Sequence, residues 1–138
     1  MTSSPDPSDP AASGQVAPPP LTVAVSLAAL EAAVLVLYGL SLLPSLEGER
    51  LAMGASTVLF FAVYGGFLGY CATQLYRLRS WARPPLVLAQ LMQILVGASF
   101  WGGSTSVIAV VAVVTAVLAI AGVFHPASIA AVEQGDRA

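Results

Sequence analysis

Four long apolar runs dominate this chain, and Glu31 is the only acidic or basic side chain within any of their interiors. A carboxyl group at that position has to be neutralised, paired or wetted, because an ionised acid at the centre of a bilayer costs at least ~2.5–3.5 kcal/mol. Glu31 lies ten residues beyond Leu21, about 15 Å along a helix and therefore close to a membrane midplane. Gln93 falls at nearly the same depth in the third run, and Gln90 lies one turn below it. Tyr64 in the second run and Thr115 in the fourth are also mid-run, and Tyr38 is two turns above Glu31 on the same face. These residues predict one buried polar layer of Glu31, Gln90, Gln93, Tyr64 and Thr115, with a neutral Glu31 donating to a glutamine carbonyl and Gln93 as its nearest companion. Two chemistries fit such a layer. It is either a polar clamp that holds helix register through interhelical hydrogen bonds, or a proton- or cation-binding carboxylate in a transport path.

The elements that must position this layer follow from length and hydropathy. The chain has 138 residues, of which 57% are hydrophobic and 9% charged, with mean hydropathy +0.85. Soluble domains carry about 25% charged residues, so this surface is written for lipid. Crossing a ~30 Å hydrocarbon core takes about 20 apolar residues in a helix. The predicted spans are 21–43, 52–76, 85–101 and 104–124, the third being the shortest. Together they make an all-α fold, a transmembrane four-helix bundle running up-down-up-down over residues 21–125. Residues 1–20, rich in Pro and Ser, are expected to be a disordered cytoplasmic tail, and residues 126–138 a cytoplasmic C-terminal tail. The N-terminal segment lacks the basic region and A-x-A site of a signal peptide.

Small residues recur where helices must approach closely without a hydrophobic drive to hold them. Ala24, Ala28 and Ala32 repeat in the first run, Ala62, Gly65, Gly69 and Thr73 in the second, and Ala109, Ala112, Ala116 and Ala119 in the fourth. These stripes predict intramolecular seams, with the Gly65–Gly69 GxxxG spacing as the weaker signal of a dimer.

Orientation follows from arginine, since Lys and Arg favour cytoplasmic loops. Arg77, Arg79 and Arg83 share the loop between the second and third runs, and Arg137 lies in the C-terminal tail; Arg50 stands alone in the opposite loop beside Glu47 and Glu49. Both termini are therefore expected in the cytoplasm of a bacterial plasma membrane, with Tyr76 and Trp81 at the inner interface and Trp101 at the outer. Arg77, Arg79, Trp81 and Arg83 are candidate contacts for lipid headgroups or for a cytosolic partner. His125 beside Pro126 is read as a cap on the fourth helix, and the single cysteine, Cys71, as apolar filler.

No P-loop, dinucleotide fingerprint, His-x-x-x-His or Ser-His-Asp pattern occurs, and the net charge of −2 gives no footprint for nucleic acid. No enzyme activity, cofactor or metal is expected. The expected partners are the lipid bilayer and another membrane protein, and no oligomeric state is implied. The stretch RSWARPPLVLAQ resembles a group of small actinobacterial integral membrane proteins of unknown function with four predicted helices. The resemblance rests on Arg79, Trp81, Ala82, Arg83, Pro85 and Gln90, and on an acid after Ala-Leu in the first helix, here Ala29-Leu30-Glu31. It spans most of residues 21–126 and implies a fold but no activity. A fainter similarity, to the small multidrug resistance transporters with an essential Glu in the first of four short helices, would make Glu31 a proton and drug-cation site. The chain departs from that family in its long Pro-rich tail and its strongly asymmetric arginines. The leading expectation is a non-enzymatic accessory or interaction subunit of an envelope assembly, and the alternative is a small oligomeric proton-coupled transporter using Glu31.

Overall fold

A computed structural model of the chain describes residues 16–46, 48, 51–99 and 101–137. Most of the expected N-terminal tail, with Glu47, Glu49 and Arg50 of the first loop, lies outside the described residues. The described chain is all-helical, with five α-helices: α1 Pro19–Ser41, α2 Leu51–Tyr76, α3 Arg83–Ser99, α4 Ser106–Phe124 and α5 Pro126–Arg137. Three of them, α1, α2 and α4, are long and apolar enough to cross a membrane. α3 has 17 residues, at the lower end of the spanning range of ~17–25. It is less apolar than the others because its 17 residues include Arg83, two prolines, Gln90 and Gln93.

Local chemistry explains the helix ends. α1 opens on Pro19, where a missing N–H is no loss, and the Thr22 N–H bonds the Pro18 carbonyl at 3.0 Å. Pro44 closes it in a 3-10 turn over Leu43–Ser45. α2 ends in a Schellman arrangement: the Arg79 N–H reaches the Gln74 carbonyl at 3.1 Å and the Leu78 N–H the Leu75 carbonyl at 2.9 Å. The left-handed position of that motif, normally glycine, is Leu78 at φ 61°. A left-handed conformation costs an L-residue about 1–2 kcal/mol, and here the buried Leu78 side chain in the core offsets it. Between α3 and α4, Gly102 takes φ 108°, which a side chain would oppose.

Small residues set the seams. A Cβ on Gly65 would lie 2.8 Å from Val36 Cγ2 and 3.0 Å from the Ala32 carbonyl, and one on Gly39 would lie 2.9 Å from Phe61 Cβ. These contacts run in opposite residue order, so α1 and α2 are antiparallel, and the glycines of the GxxxG spacing face α1 of the same chain. Gly97 meets Val113 and the Ala109 carbonyl in an antiparallel α3–α4 seam, and Gly122 lies under Pro20 and Ala24 where α4 crosses α1. Thr73, assigned to the α2 stripe from sequence, is exposed and bonds its own helix at Gly69 and Tyr70.

The core is concentrated at one end. Leu21, Ala24, Ala28, Leu68, Ala72, Leu75, Leu86, Val123 and Val132 form one buried cluster where α1 and α3 begin and α2 and α4 end. Val132 belongs to α5, so the expected C-terminal tail is a helix docked beneath the bundle. Pro126 starts it, buried Ser128 and Val132 are one turn apart, and the Ser128 hydroxyl donates to the Gly122 carbonyl at 2.6 Å, satisfying a free carbonyl at the end of α4. His125 stands at the C-cap position of α4 and also opens α5: its Nδ1 accepts the Ala127 N–H at 3.2 Å, and its carbonyl accepts the N–H groups of Ser128 and Ile129.

Candidate functional site

Glu31 sits on α1 where the packed half ends. Below it Ala28, Ala24 and Leu21 are fully buried, and above it Leu35, Tyr38, Phe61 and Val96 line open volume. The partner it meets is Gln90, whose Nε2 donates to Glu31 Oε2 at 2.7 Å across 59 residues of sequence. Gln90 is 0% exposed, and among the described residues its Oε1 has no hydrogen-bond partner. The expectation of Gln93 as the closest companion is corrected: Gln93 Nε2 donates to the Ala112 carbonyl of α4 at 2.9 Å. Three residues are a little short of a helical turn, so Gln90 and Gln93 look toward different neighbours, one toward α1 and the other toward α4. The sense of the bond also differs from expectation, with the glutamine amide donating and the carboxyl accepting.

Tyr64 and Gln93 remain close to Glu31 through a cavity of about 310 Å³, lined also by Leu35, Phe60, Phe61, Met92 and Val96. Its aromatic wall is built on α2, where Phe60 and Tyr64 stack one turn apart, centroids 5.6 Å apart and planes 6° from parallel. A second cavity of about 460 Å³ shares Leu35, Phe61, Gln93 and Val96 with the first and extends to Tyr38 and Thr105. Both volumes lie within the range of small-molecule sites, ~300–1,000 Å³. Tyr38 packs edge-on against Phe61 with centroids 5.2 Å apart. Thr115 stands apart from the layer: its hydroxyl donates to the Val111 carbonyl of its own helix at 2.8 Å. The layer therefore comprises Glu31–Gln90 as a bonded pair, Gln93 as a link from α3 to α4, and Tyr64 across the cavity. Phe60, Phe61 and Met92 had no place in the sequence reading; the only available sign was an aromatic triplet, Phe60, Phe61 and Tyr64, at helical spacing.

The arginine loop forms a second polar region at the packed end. Arg77, Arg79 and Trp81 are exposed and Arg83 is half-buried at the start of α3. Trp81 lies 5.8 Å from the Tyr70 ring. Among the described residues, Arg83 Nε and Nη2 are buried without a hydrogen-bond partner. The end of α5 closes over this turn, since a Cβ on Gly135 would fall 2.5 Å from Leu78 Cβ, and Asp136 Oδ1 accepts the Ser80 N–H at 3.2 Å. Hydrogen bonding to Ser80, and then the charges of Arg79 and Arg83, hold the Asp136 carboxyl below its ordinary range. This contact was invisible in a segment read as a tail.

Cys71 is buried and unpaired within the core. Tyr76 and Trp101 are 53% and 69% exposed, free to lie at headgroup level. Among the described residues no cluster of His, Cys, Asp and Glu is placed to hold a metal ion. Compared with protein-family models, curated proteins and solved structures, the chain has no match.

Proposed function

We propose that this chain is a non-enzymatic multi-pass protein of the bacterial plasma membrane, belonging to the actinobacterial group it resembles and acting as an accessory or interaction subunit of an envelope assembly. In this reading α3 is a short fourth span, the helices run up-down-up-down, and both termini are cytoplasmic. The orientation is supported by four of the five arginines: Arg77, Arg79 and Arg83 flank the α2–α3 turn, and Arg137 closes the helix that docks on it.

The observation that carries the reading is the Glu31–Gln90 bond. The one intramembrane acid is joined to a fully buried amide at 2.7 Å, the arrangement of a clamp that ties α1 to α3. α2 supplies the interaction face in this proposal. Only 11% of its most apolar window is buried, against 28% for α1 and 22% for α4, and Leu59, Phe60, Val63 and Phe67 are exposed along it. A photo-crosslinking residue at Phe67 in native membranes is expected to capture one discrete membrane protein, while the same probe at Val117 on α4 captures lipid alone. Equal, diffuse labelling from both positions refutes the interaction reading.

The cavity beside Glu31 favours a second reading, a small proton-coupled transporter. A carboxyl group, an aromatic wall and a thioether around about 310 Å³ suit an organic cation, which aromatic faces attract. Glu31→Gln keeps an acceptor for Gln90 Nε2, so the fold should survive. If that variant abolishes proton-coupled flux in liposomes while the helices stay intact, the accessory reading fails and the transporter stands.

A further inference from the structure

The α2–α3 turn follows directly from a helix long enough to cross the membrane, and exposed Tyr76 and Trp81 flank it, so it lies at the level of lipid headgroups. Three guanidinium groups, of Arg77, Arg79 and Arg83, crowd into seven residues there. The only carboxylate engaged with the turn among the described residues is Asp136, and its Oδ1 is spent on the Ser80 N–H. It does not serve Arg83, whose Nε and Nη2 stay without a partner. Those two nitrogens form one edge of the guanidinium plane, the edge that grips two oxygens of a single phosphate or carboxylate. Buried donors of a charged group are costly to leave unpaired, and two on one edge call for one oxyanion. Asp136 Oδ1 already places one oxyanion on the Ser80 N–H beside Arg79 and Arg83.

We propose that this turn binds the phosphodiester of an anionic phospholipid, with Arg79 and Arg83 flanking it, the Ser80 N–H as a fixed donor, and Asp136 as the chain's own competitor for the same place. The proposal rests on α2 spanning the bilayer, which brings the turn to headgroup depth, and is independent of which leaflet it faces and of any role for Glu31. Phosphate is the oxyanion a bilayer presents at that depth, and juxtamembrane arginines attract anionic lipid. α5 then becomes a cover on the site: bound lipid loosens the Asp136–Ser80 contact, and an engaged Asp136 weakens lipid binding.

The test uses the full chain in phosphatidylcholine vesicles, in a Trp101→Phe background so that Trp81 is the one reporter. Brominated phosphatidylglycerol should quench Trp81 at lower mole fraction than brominated phosphatidylcholine. Arg79→Gln and Arg83→Gln should each weaken that preference about five-fold, the effect of one charge near the surface. Arg83→Lys, keeping the charge without the fork, should recover part of the loss. Asp136→Asn should act in the opposite direction and tighten phosphatidylglycerol binding several-fold. Because Arg79 is exposed, its variant keeps the test valid even if Arg83→Gln disturbs the fold. No preference between the two lipids, or an Asp136→Asn variant that binds no tighter, overturns the proposal. Complete competition by millimolar inorganic phosphate, with no headgroup preference, reassigns the site to free phosphate and overturns the lipid assignment.

Discussion

Gln90 and Glu31 form one hydrogen bond, yet removing either partner should have unequal consequences. Gln90 is 0% exposed and its Oε1 is already unpartnered, so Glu31→Leu leaves the whole amide stranded in the packed half. A buried polar group left unsatisfied costs about 1–3 kcal/mol, reduced in a membrane because the unfolded reference also finds partners. About 1–1.5 kcal/mol of destabilisation is therefore expected for Glu31→Leu. Gln90→Leu fills similar space with apolar atoms and abolishes the orphan Oε1, while the released Glu31 carboxyl still faces the cavity it lines. Its expected cost is smaller, about 0.5 kcal/mol, because the orphan Oε1 leaves with the amide and the one polar group left unpaired lies beside open volume. The double variant should resemble Gln90→Leu alone, giving a coupling of about 1–1.5 kcal/mol, toward the top of the range for interhelical hydrogen bonds. Equilibrium unfolding in mixed micelles, followed by far-ultraviolet circular dichroism on the full double-mutant cycle, measures each term. A coupling below about 0.3 kcal/mol means that the pair is not a clamp, and a Gln90→Leu cost equal to that of Glu31→Leu refutes the asymmetry argued from burial.

Three further outcomes follow from packing and charge. Gly65→Ala places a Cβ 2.8 Å from Val36 and 3.0 Å from the Ala32 carbonyl, whereas Gly66 has nothing within 4 Å; the first should cost about 1–3 kcal/mol, and the second should stabilise the helix by up to ~1 kcal/mol, both by the same unfolding assay. Leu78→Gly relieves a left-handed backbone worth about 1–2 kcal/mol but deletes a buried core side chain worth about 1.5–3 kcal/mol, so a modest net loss in thermal stability is expected, and a gain would show that Leu78 packs poorly. The Asp136 carboxyl is held below its ordinary value of 3.8, so its contribution is fully present above that value and is lost only as pH falls through the depressed folded one. Amide exchange at the end of α5 should therefore show no opening event between neutral pH and about pH 4 and should loosen in more acidic solution, whereas Asp136→Asn, whose amide oxygen can still accept the Ser80 N–H, should lose that pH dependence.

Sequence alone determined that this chain is helical with runs long and apolar enough to cross a membrane, because a bilayer would impose a length and an apolarity on each span that composition displays directly. It placed α1, α2 and α4 within about two residues of their ends, and it marked Glu31 as the one acid needing a partner, since charge in an apolar run is conspicuous whatever the packing. The alanine stripes of α1 and α4 and the glycines Gly65 and Gly69 of α2 were legible for the same reason: close approach of backbones requires small side chains.

Tertiary structure decided which glutamine meets Glu31. Depth is additive along a helix and can be counted, but the direction a side chain faces depends on how α3 is rotated against both α1 and α4, and that rotation separates Gln90 from Gln93. It also decided the cavities, which are lined by Leu35 of α1, Phe60 and Phe61 of α2 and Val96 of α3, a property of several helices at once. The last twelve helical residues read as a tail because their own apolar content is slight. Only docking on the core gives Ser128, Val132, Gly135 and Asp136 their partners, and with them the covered arginine turn.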